Sequence, residues 1–462
     1  MTPSSRFVTD ISWRRPAQGN VVLAGSPLTL FSLSEAGRRI AENIERGQSL
    51  SSGHESLTER LLDAGAIHPI PEPSHSEALN TVTAVIPAFV RSAEEAQYLK
   101  SLVAMCADFF AVIVVDDCSP YPLPDLGRSV VIRLSVNSGP ATARNVGLQQ
   151  VSTDFVAFID LDIALSSTTV GILLPYFSDP KVALVAPRVK SFGQSNALAE
   201  YESVASVLDM GEVEARVAPA TRVSYVPSAM LVCRTSAVRS VSGFNETLRF
   251  GEDVDLVWQL HSGGWRCRYQ PQAVCTHLPR STFKQFARQR MSYGESAAPL
   301  AARHPGKLAP IQLSAWQAST WISVLLGLPF VALGIAVLAS VSTTRKLRKF
   351  PHLRTDAFQI SLHGTMRSGL QLAQVFARTW WPIAVIASLF SQRLRVLFIA
   401  CALGPTLYEW WKKRPHLDVV RFTLIKMLDN TAYGTGVWKG AITKRKAQAL
   451  LPIVKRSAPN GE

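Results

Sequence analysis

Three groups of acidic residues in this 462-residue chain fall where strands end or helices begin. In FIDLDI, Asp160 and Asp162 are two residues apart, so extended backbone turns both carboxylates to one side. Two carboxylates held together after an apolar run repel unless a cation sits between them, and Mg²⁺ or Mn²⁺ bridging to phosphate oxygens supplies one. Asp116 and Asp117 close VVDDCSP. An acid there can accept hydrogen bonds from a base or ribose, and an Asp turn that bonds its own backbone uses the same residues. Glu252 and Asp253 follow Phe250 and Gly251 at the start of a helical stretch, where the helix dipole favours acids. A carboxylate facing a cleft that holds a metal and a diphosphate also suits a general base for a hydroxyl. His277, at the end of the next strand, fits a metal shell or a phosphate contact, and equally a buried, satisfied histidine. In NSGPATARNVGL, Gly139 and Pro140 open a helix with free first-turn amides. Arg144 and Asn145 near that end suit an anion or a base edge, or a plain crossover helix with a solvated arginine.

The elements that must place these groups alternate. VTAVIP, AVIVVDD, SVVIRL, DFVAFID and VALVAP are short apolar runs, separated by helical stretches such as EEAQYLKSLVAMCA and PATARNVGLQQV. Continuous apolar strands between helices predict an α/β fold with a mainly parallel sheet covered on both faces. Ligands bind beyond the carboxyl ends of such strands, where the acids lie.

Around this region the spacing predicts a small α+β module over residues 1–70, with a hairpin in VVLAGSPLTLFSLS, a helix capped by Ser34 and a second helix ending at Gly65. Residues 71–80 read as a linker, 81–305 as the catalytic domain, 306–440 as an apolar helical region and 441–462 as a basic tail. Hydrophobic residues are 47% and charged residues 18% of the chain, which excludes disorder as its main state. Net charge is +14, yet Thr2–Pro310 holds 28 basic and 29 acidic residues, and Ile311–Glu462 holds 20 and 5. A neutral catalytic region argues against nucleic acid as partner. The basic excess accompanies the most apolar part of the chain, which points to a membrane surface. Leu308–Thr344 is free of charge for 37 residues. Gly327 and Pro329 split it into halves too short to cross a bilayer, so re-entrant insertion from the cytoplasmic face is expected, with two full crossings or a soluble helical domain as alternatives. The six cysteines show no zinc spacing and read as reduced thiols of a cytoplasmic protein.

Taken in order, VTAVIP, VVDDCSP, NSGPATARNVGL, FIDLDI and GFNETLRFGEDVDLVWQLHSGGW resemble family 2 of the inverting glycosyltransferases, over roughly Thr81–Gly294. The resemblance implies the GT-A nucleotide-sugar-binding fold. It also implies a nucleotide-sugar site at Pro87, Asp116 or Asp117, Arg144, Asn145 and Asp160, and a Mg²⁺ or Mn²⁺ ion held by Asp162 with Asp160, whose shell His277 could complete. Asp253, beside Glu252, would be the base. The QxxRW motif of processive members is incomplete: FKQFARQRMSYGES offers Gln285, Arg288 and Arg290 for an acceptor or diphosphate, without the Trp.

LAGSPLTLFSLSEAGRRI and ERLLDAGAIHP are similar to PqqD-like (winged-helix) peptide-recognition domains. Such a module, this catalytic region and an apolar basic tail together resemble the glycosyltransferases of mycofactocin systems. That resemblance implies transfer of glucose from UDP-glucose, repeatedly in β-1,4 linkage, onto the peptide-derived cofactor premycofactocin. The rival readings are a cell-envelope transferase moving rhamnose or another sugar onto a lipid-linked glycan, against which the N-terminal module argues, and a non-catalytic binding scaffold, against which the presence of Asp160, Asp162, Glu252 and Asp253 together argues.

Overall fold

The structure is a computed structural model and describes residues 6–455 apart from 17–18, 51–52, 73–75, 193–195 and 347–353. Part of the expected linker (73–75), most of the basic run after Arg345 and the last seven residues of the tail therefore lie outside the described residues. The chain divides into two compact units, Met1–Pro279 and Arg280–Glu462.

The first unit opens with β1 (Phe7–Thr9), the hairpin β2 (Val21–Ala24) and β3 (Thr29–Ser32), the helices α1 (Glu35–Glu45) and α2 (Glu55–Asp63), and β4 (Ile67–Pro69). Ser34 starts α1 by accepting from Gly37 N at 3.2 Å, as an N-cap does. Phe7, Val22, Phe31, Ile44, Leu61 and Ile67 form a core of their own. β1 and β4 pair antiparallel.

The larger part runs β5 (Val82–Ala88), α3 (Ala93–Met105), β6 (Ala111–Asp116), β7 (Val130–Arg133), α4 (Pro140–Gln150), β8 (Phe155–Ile159), β9 (Ile163–Ala164), α5 (Ser167–Leu173), β10 (Val182–Ser191), α6 (Ala197–Ala205), β11 (Ala215–Val217), β12 (Met230–Arg234), α7 (Thr235–Ser240), α8 (Glu252–Ser262) and β13 (Arg266–His277). The sheet order is β11-β13-β10-β12-β8-β5-β6-β7, with β9 added to β13. β5, β6, β7 and β8 are parallel neighbours, as are β10 and β13. β12 runs against both β8 and β10. The sheet is thus mixed with mostly parallel strands, and its central strands are buried because helices cover both faces.

Ion pairs join the N-terminal module to this sheet. Arg222 Nη1 and Nη2 each donate to Asp10 at 2.8 Å, and His68 Nε2 lies 3.0 Å from the same carboxylate. Burial alone would raise the Asp10 carboxyl, but the hydrogen bonds from Arg222 and His68 hold it far below the usual range. Arg266 donates to Asp63 and Asp179 at 2.8 Å and to Glu59 at 2.6 Å. A planar guanidinium serves several carboxylates at once, so two arginines secure the module.

The second unit comprises α9 (Phe283–Glu295), α10 (Ala297–Arg303), β14 (Gln312–Ser314), α11 (Ala315–Leu326), α12 (Pro329–Lys346), α13 (Arg354–Arg378), α14 (Trp381–Phe390), α15 (Gln392–Lys413), α16 (Val419–Lys444) and β15 (Ile453–Lys455). β14 and β15 pair in parallel. The charge-free run breaks at Gly327, whose φ of 82° ends α11 in the left-handed region that favours glycine. Among the described residues no single helix is long and apolar enough to cross a membrane. Ala357–Arg378 and α14 pass together by length and composition, but are bent by 87°.

Candidate active site

β5, β6 and β8 end side by side, and the acids follow their last residues. Asp116 is 1% exposed and accepts from Ser119 N at 2.8 Å and from Arg133 Nη1 at 2.5 Å. Asp117 accepts from Ser138 N at 2.6 Å and Gly139 N at 2.8 Å, just ahead of α4. Both carboxylates are therefore committed to shaping the loop over the strand ends, with Ser119 Oγ accepting from Val90 N at 2.8 Å. Pro87 lies in β5 opposite Val115 of β6.

Arg144, on α4, is 2% exposed. Its Nη2 donates to Asp160 Oδ1 at 2.5 Å and its Nη1 to Glu252 Oε1 at 2.8 Å. Its guanidinium carbon stands 5.2 Å from the centroid of the Phe244 ring. One buried cation thus links the carboxylate after β8 to the acid that opens α8. Asn145 accepts from Phe244 N and donates to Phe244 O, both at 2.8 Å, and so pins the loop before α8. Gly243 must be glycine at that point: its φ is 71°, and a Cβ would meet Asn145 Oδ1 at 2.4 Å.

Asp253 is half-buried on the first turn of α8. Its Oδ1 accepts from Val254 N at 2.8 Å and its Oδ2 from Ser228 N at 3.2 Å. The next residue, Ala229, accepts from Asp160 N at 2.9 Å, so two consecutive residues connect the two acids. Burial raises the carboxyls of Asp160, Glu252 and Asp253 above the usual range. The charge of Asp253 adds to the rise at Glu252, and amide hydrogen bonds offset part of it at Asp253.

Asp162 and His277 meet across the turn into β9 and the end of β13, with Oδ2 3.1 Å from Nε2. That is hydrogen-bond distance, and it also matches adjacent ligands of an octahedral ion, which at about 2.1 Å from the metal lie roughly 3.0 Å apart. Among the described residues no group of three or more His, Cys, Asp or Glu converges on one point. A hard ion that keeps waters and substrate phosphates needs no such cage; the Asp162 carboxylate suits Mg²⁺ or Mn²⁺, and the His277 imidazole favours the softer Mn²⁺ of the two.

The structure brings Arg144, Asp160, Asp162, Glu252, Asp253 and His277 together. Gln285, Arg288 and Arg290 sit on α9 in the second unit. Arg290 is 1% exposed, 3.2 Å from Asp429 and stacked on Phe286, while Arg288 and Gln285 are exposed. Sequence reasoning missed Arg133, Ser228, Ala229 and Phe244. Arg133 carries a signal, a lone cation at an apolar strand end; the others contribute backbone or a ring, which no pattern announces.

An α/β sheet with acids beyond its parallel strand ends, and residues 83–241 matching the model of Glycosyl transferase family 2, define a glycosyltransferase of the GT-A fold. The chain is 38% identical over 458 residues to the pre-mycofactocin glycosyltransferase of Mycobacterium tuberculosis, covering 95% of both proteins. It therefore belongs to the mycofactocin-system family 2 glycosyltransferases. It is also 23% identical over 227 residues to the poly-beta-1,6-N-acetyl-D-glucosamine synthase of Staphylococcus aureus, covering 47% of this chain and 55% of that protein. A solved mannosyltransferase from Pyrobaculum calidifontis, in complex with GDP-Man and Mn²⁺, is 15% identical, with a TM-score of 0.39 over 78% of this chain and 94% of that one.

Proposed function

We propose that the protein transfers glucose from UDP-glucose, repeatedly and in β-1,4 linkage, onto premycofactocin. The observation that supports this reading is the linkage of Asp160 to the Glu252–Asp253 pair through Arg144 and Ser228–Ala229, since a base for the acceptor hydroxyl has to stand close to the donor. The acceptor follows the relative's activity. Asp253 takes the proton of the acceptor hydroxyl. The oxygen bonds to glucose C1 as the C1–oxygen bond to the diphosphate breaks, so UDP leaves and an α-linked donor yields a β product. A carboxyl raised by burial is a stronger base than one in water, which suits this task. Asp162 and His277, with Asp160 alongside, would hold Mg²⁺ or Mn²⁺, which supplies positive charge to the leaving diphosphate.

Asp116 and Asp117 shape the nucleotide pocket next to Pro87, and Arg144 and Asn145 fix its inner wall. Arg288 and Gln285 are exposed on α9, and Arg290 supports that helix from within. The module over residues 1–70 holds the peptide-derived part of the acceptor ahead of the catalytic domain at 81–305. The region 306–440 and the basic tail rest on the cytoplasmic face of the membrane. Incubation of purified protein with Mg²⁺ or Mn²⁺, a panel of sugar nucleotides and premycofactocin, read by mass spectrometry, tests the reaction. Successive hexose additions from UDP-glucose are expected; no addition, or rhamnose transfer to a lipid-linked glycan, would sink it.

A further inference from the structure

The second unit leaves an unusual amount of apolar side chain in contact with solvent. At the α11–α12 turn Leu326 is 66% exposed and Phe330 87%; at the α14–α15 turn Leu389 is 69% exposed and Phe390 85%. These two turns are far apart in sequence but adjacent in space, since Arg393 at the start of α15 donates to Val324 O at the end of α11 at 3.2 Å. The opposite ends of the two entering helices also coincide. Trp380, just before α14, packs on the cluster of Ile311, Leu313 and Val375 beside the start of α11. α11 and α14 therefore start together and end together, each followed by a returning helix.

Their lengths are informative. Twelve residues in α11 and ten in α14 span about 18 and 15 Å at 1.5 Å per residue. That is the depth of one leaflet, half of a hydrocarbon core about 30 Å thick. The starts of α11 and α14, away from the turns, carry what an interface selects: Trp316 on α11 and Trp380 and Trp381 before and in α14. The returning helices are longer, 18 residues in α12 and 22 in α15, and so run on past that depth. At the turns two exposed arginines each satisfy one carbonyl of a helix end. Arg393 donates to Val324 O, and Arg395 Nε donates to Ser388 O at 3.3 Å. Backbone carbonyls at membrane depth need such partners.

We propose that α11–α12 and α14–α15 form one wedge that enters an anionic bilayer from a single side, to the depth of one leaflet, with the Trp-bearing starts of α11 and α14 at the headgroups. The proposal rests on the membrane-associated reading above and adds to it that the two hairpins insert as one element, and how deep it reaches. The net excess of basic residues in this unit supplies the attraction to anionic lipid.

The full chain is mixed with vesicles of 30% phosphatidylglycerol in phosphatidylcholine and floated on a gradient. Phe330→Asp with Phe390→Asp, at two highly exposed positions, should lower the floated fraction at least about tenfold, given the cost of an acid at bilayer depth, while the unfolding transition in the absence of lipid stays put. A fluorophore attached at Phe390→Cys in a chain whose native cysteines are replaced by serine should be quenched most by lipids labelled deep in the acyl chain, and not by an impermeant quencher sealed inside the vesicle. Quenching from inside would mean a full crossing and overturn the wedge. Undiminished flotation of the double variant, or quenching only near the headgroups, would place the contact elsewhere and overturn it while leaving membrane association intact. A wild-type dimer in the absence of lipid that the double variant converts to monomer would show that a second copy covers the turns, with the same consequence. Hexose transfer measured in detergent on the same samples reports on the proposed reaction independently.

Discussion

Replacing Arg144 by methionine removes one buried cation that serves two carboxylates, Asp160 at 2.5 Å and Glu252 at 2.8 Å. Methionine fills much of the volume, so the loss is electrostatic rather than a large cavity. Breaking a buried pair and leaving its partner charged costs about 3–5 kcal/mol, and here two partners are left. Protons can relieve the strain. Burial already raises the carboxyls of Asp160 and Glu252, and Arg144 is what opposes the rise at both. Without it both go higher still. A group whose folded-state pKa exceeds its unfolded value contributes stability that is complete below the unfolded value, about 4, and is lost as pH rises through the folded one. The deficit of Arg144→Met should therefore be smallest near pH 5 and grow towards pH 8, by up to about 1.4 kcal/mol per pH unit for each proton. Urea unfolding at pH 5, 6.5 and 8, followed by Trp fluorescence, should show a midpoint lowered by roughly 1–2 M at pH 8 and by clearly less at pH 5. A deficit that is equal at all three values, or larger at pH 5, would refute the view that Arg144 neutralises these acids.

Asp253→Asn should reduce turnover by about 10²–10⁴-fold while UDP binding, measured by calorimetry, stays within a factor of two or so. In the wild-type protein a base must be deprotonated to act, so kcat/KM should fall as pH drops through a value above the ordinary carboxylate range, because burial raises the Asp253 carboxyl; a pH–rate profile whose acid limb lies near 4 would argue against Asp253. His277→Ala, which removes the nitrogen 3.1 Å from Asp162, should raise the divalent-ion concentration for half-maximal activity at least about tenfold, and an unchanged metal titration would place the ion elsewhere. Gly243→Ala puts a Cβ 2.4 Å from Asn145 Oδ1 at a φ of 71° and should cost about 1–3 kcal/mol with loss of activity, read by thermal melting and turnover.

Everything local was open to inspection in the chain itself. Strand and helix alternate with the apolar pattern, Ser34 caps α1, Gly327 breaks the charge-free run, and the acids stand at strand ends because short-range spacing dictates each of these features. The GT-A class followed from the family resemblance that those motifs, in that order, carry. What the pattern could not supply is every pairing made at long range. Nothing in MLVCR announces that β12 runs antiparallel between β8 and β10, since a buried strand reads alike in either direction. Arg144 looks like a solvated arginine on a crossover helix. Only folding carries it beneath Phe244 to an acid 108 residues away. Arg222 and Arg266 likewise reach Asp10, Glu59 and Asp63 across some two hundred residues. The sequence by itself determined which chemical groups are present and on which elements. The tertiary structure decided which of them meet, because a buried charge is tolerable only beside its partner, and partners are chosen by three-dimensional packing rather than by spacing along the chain.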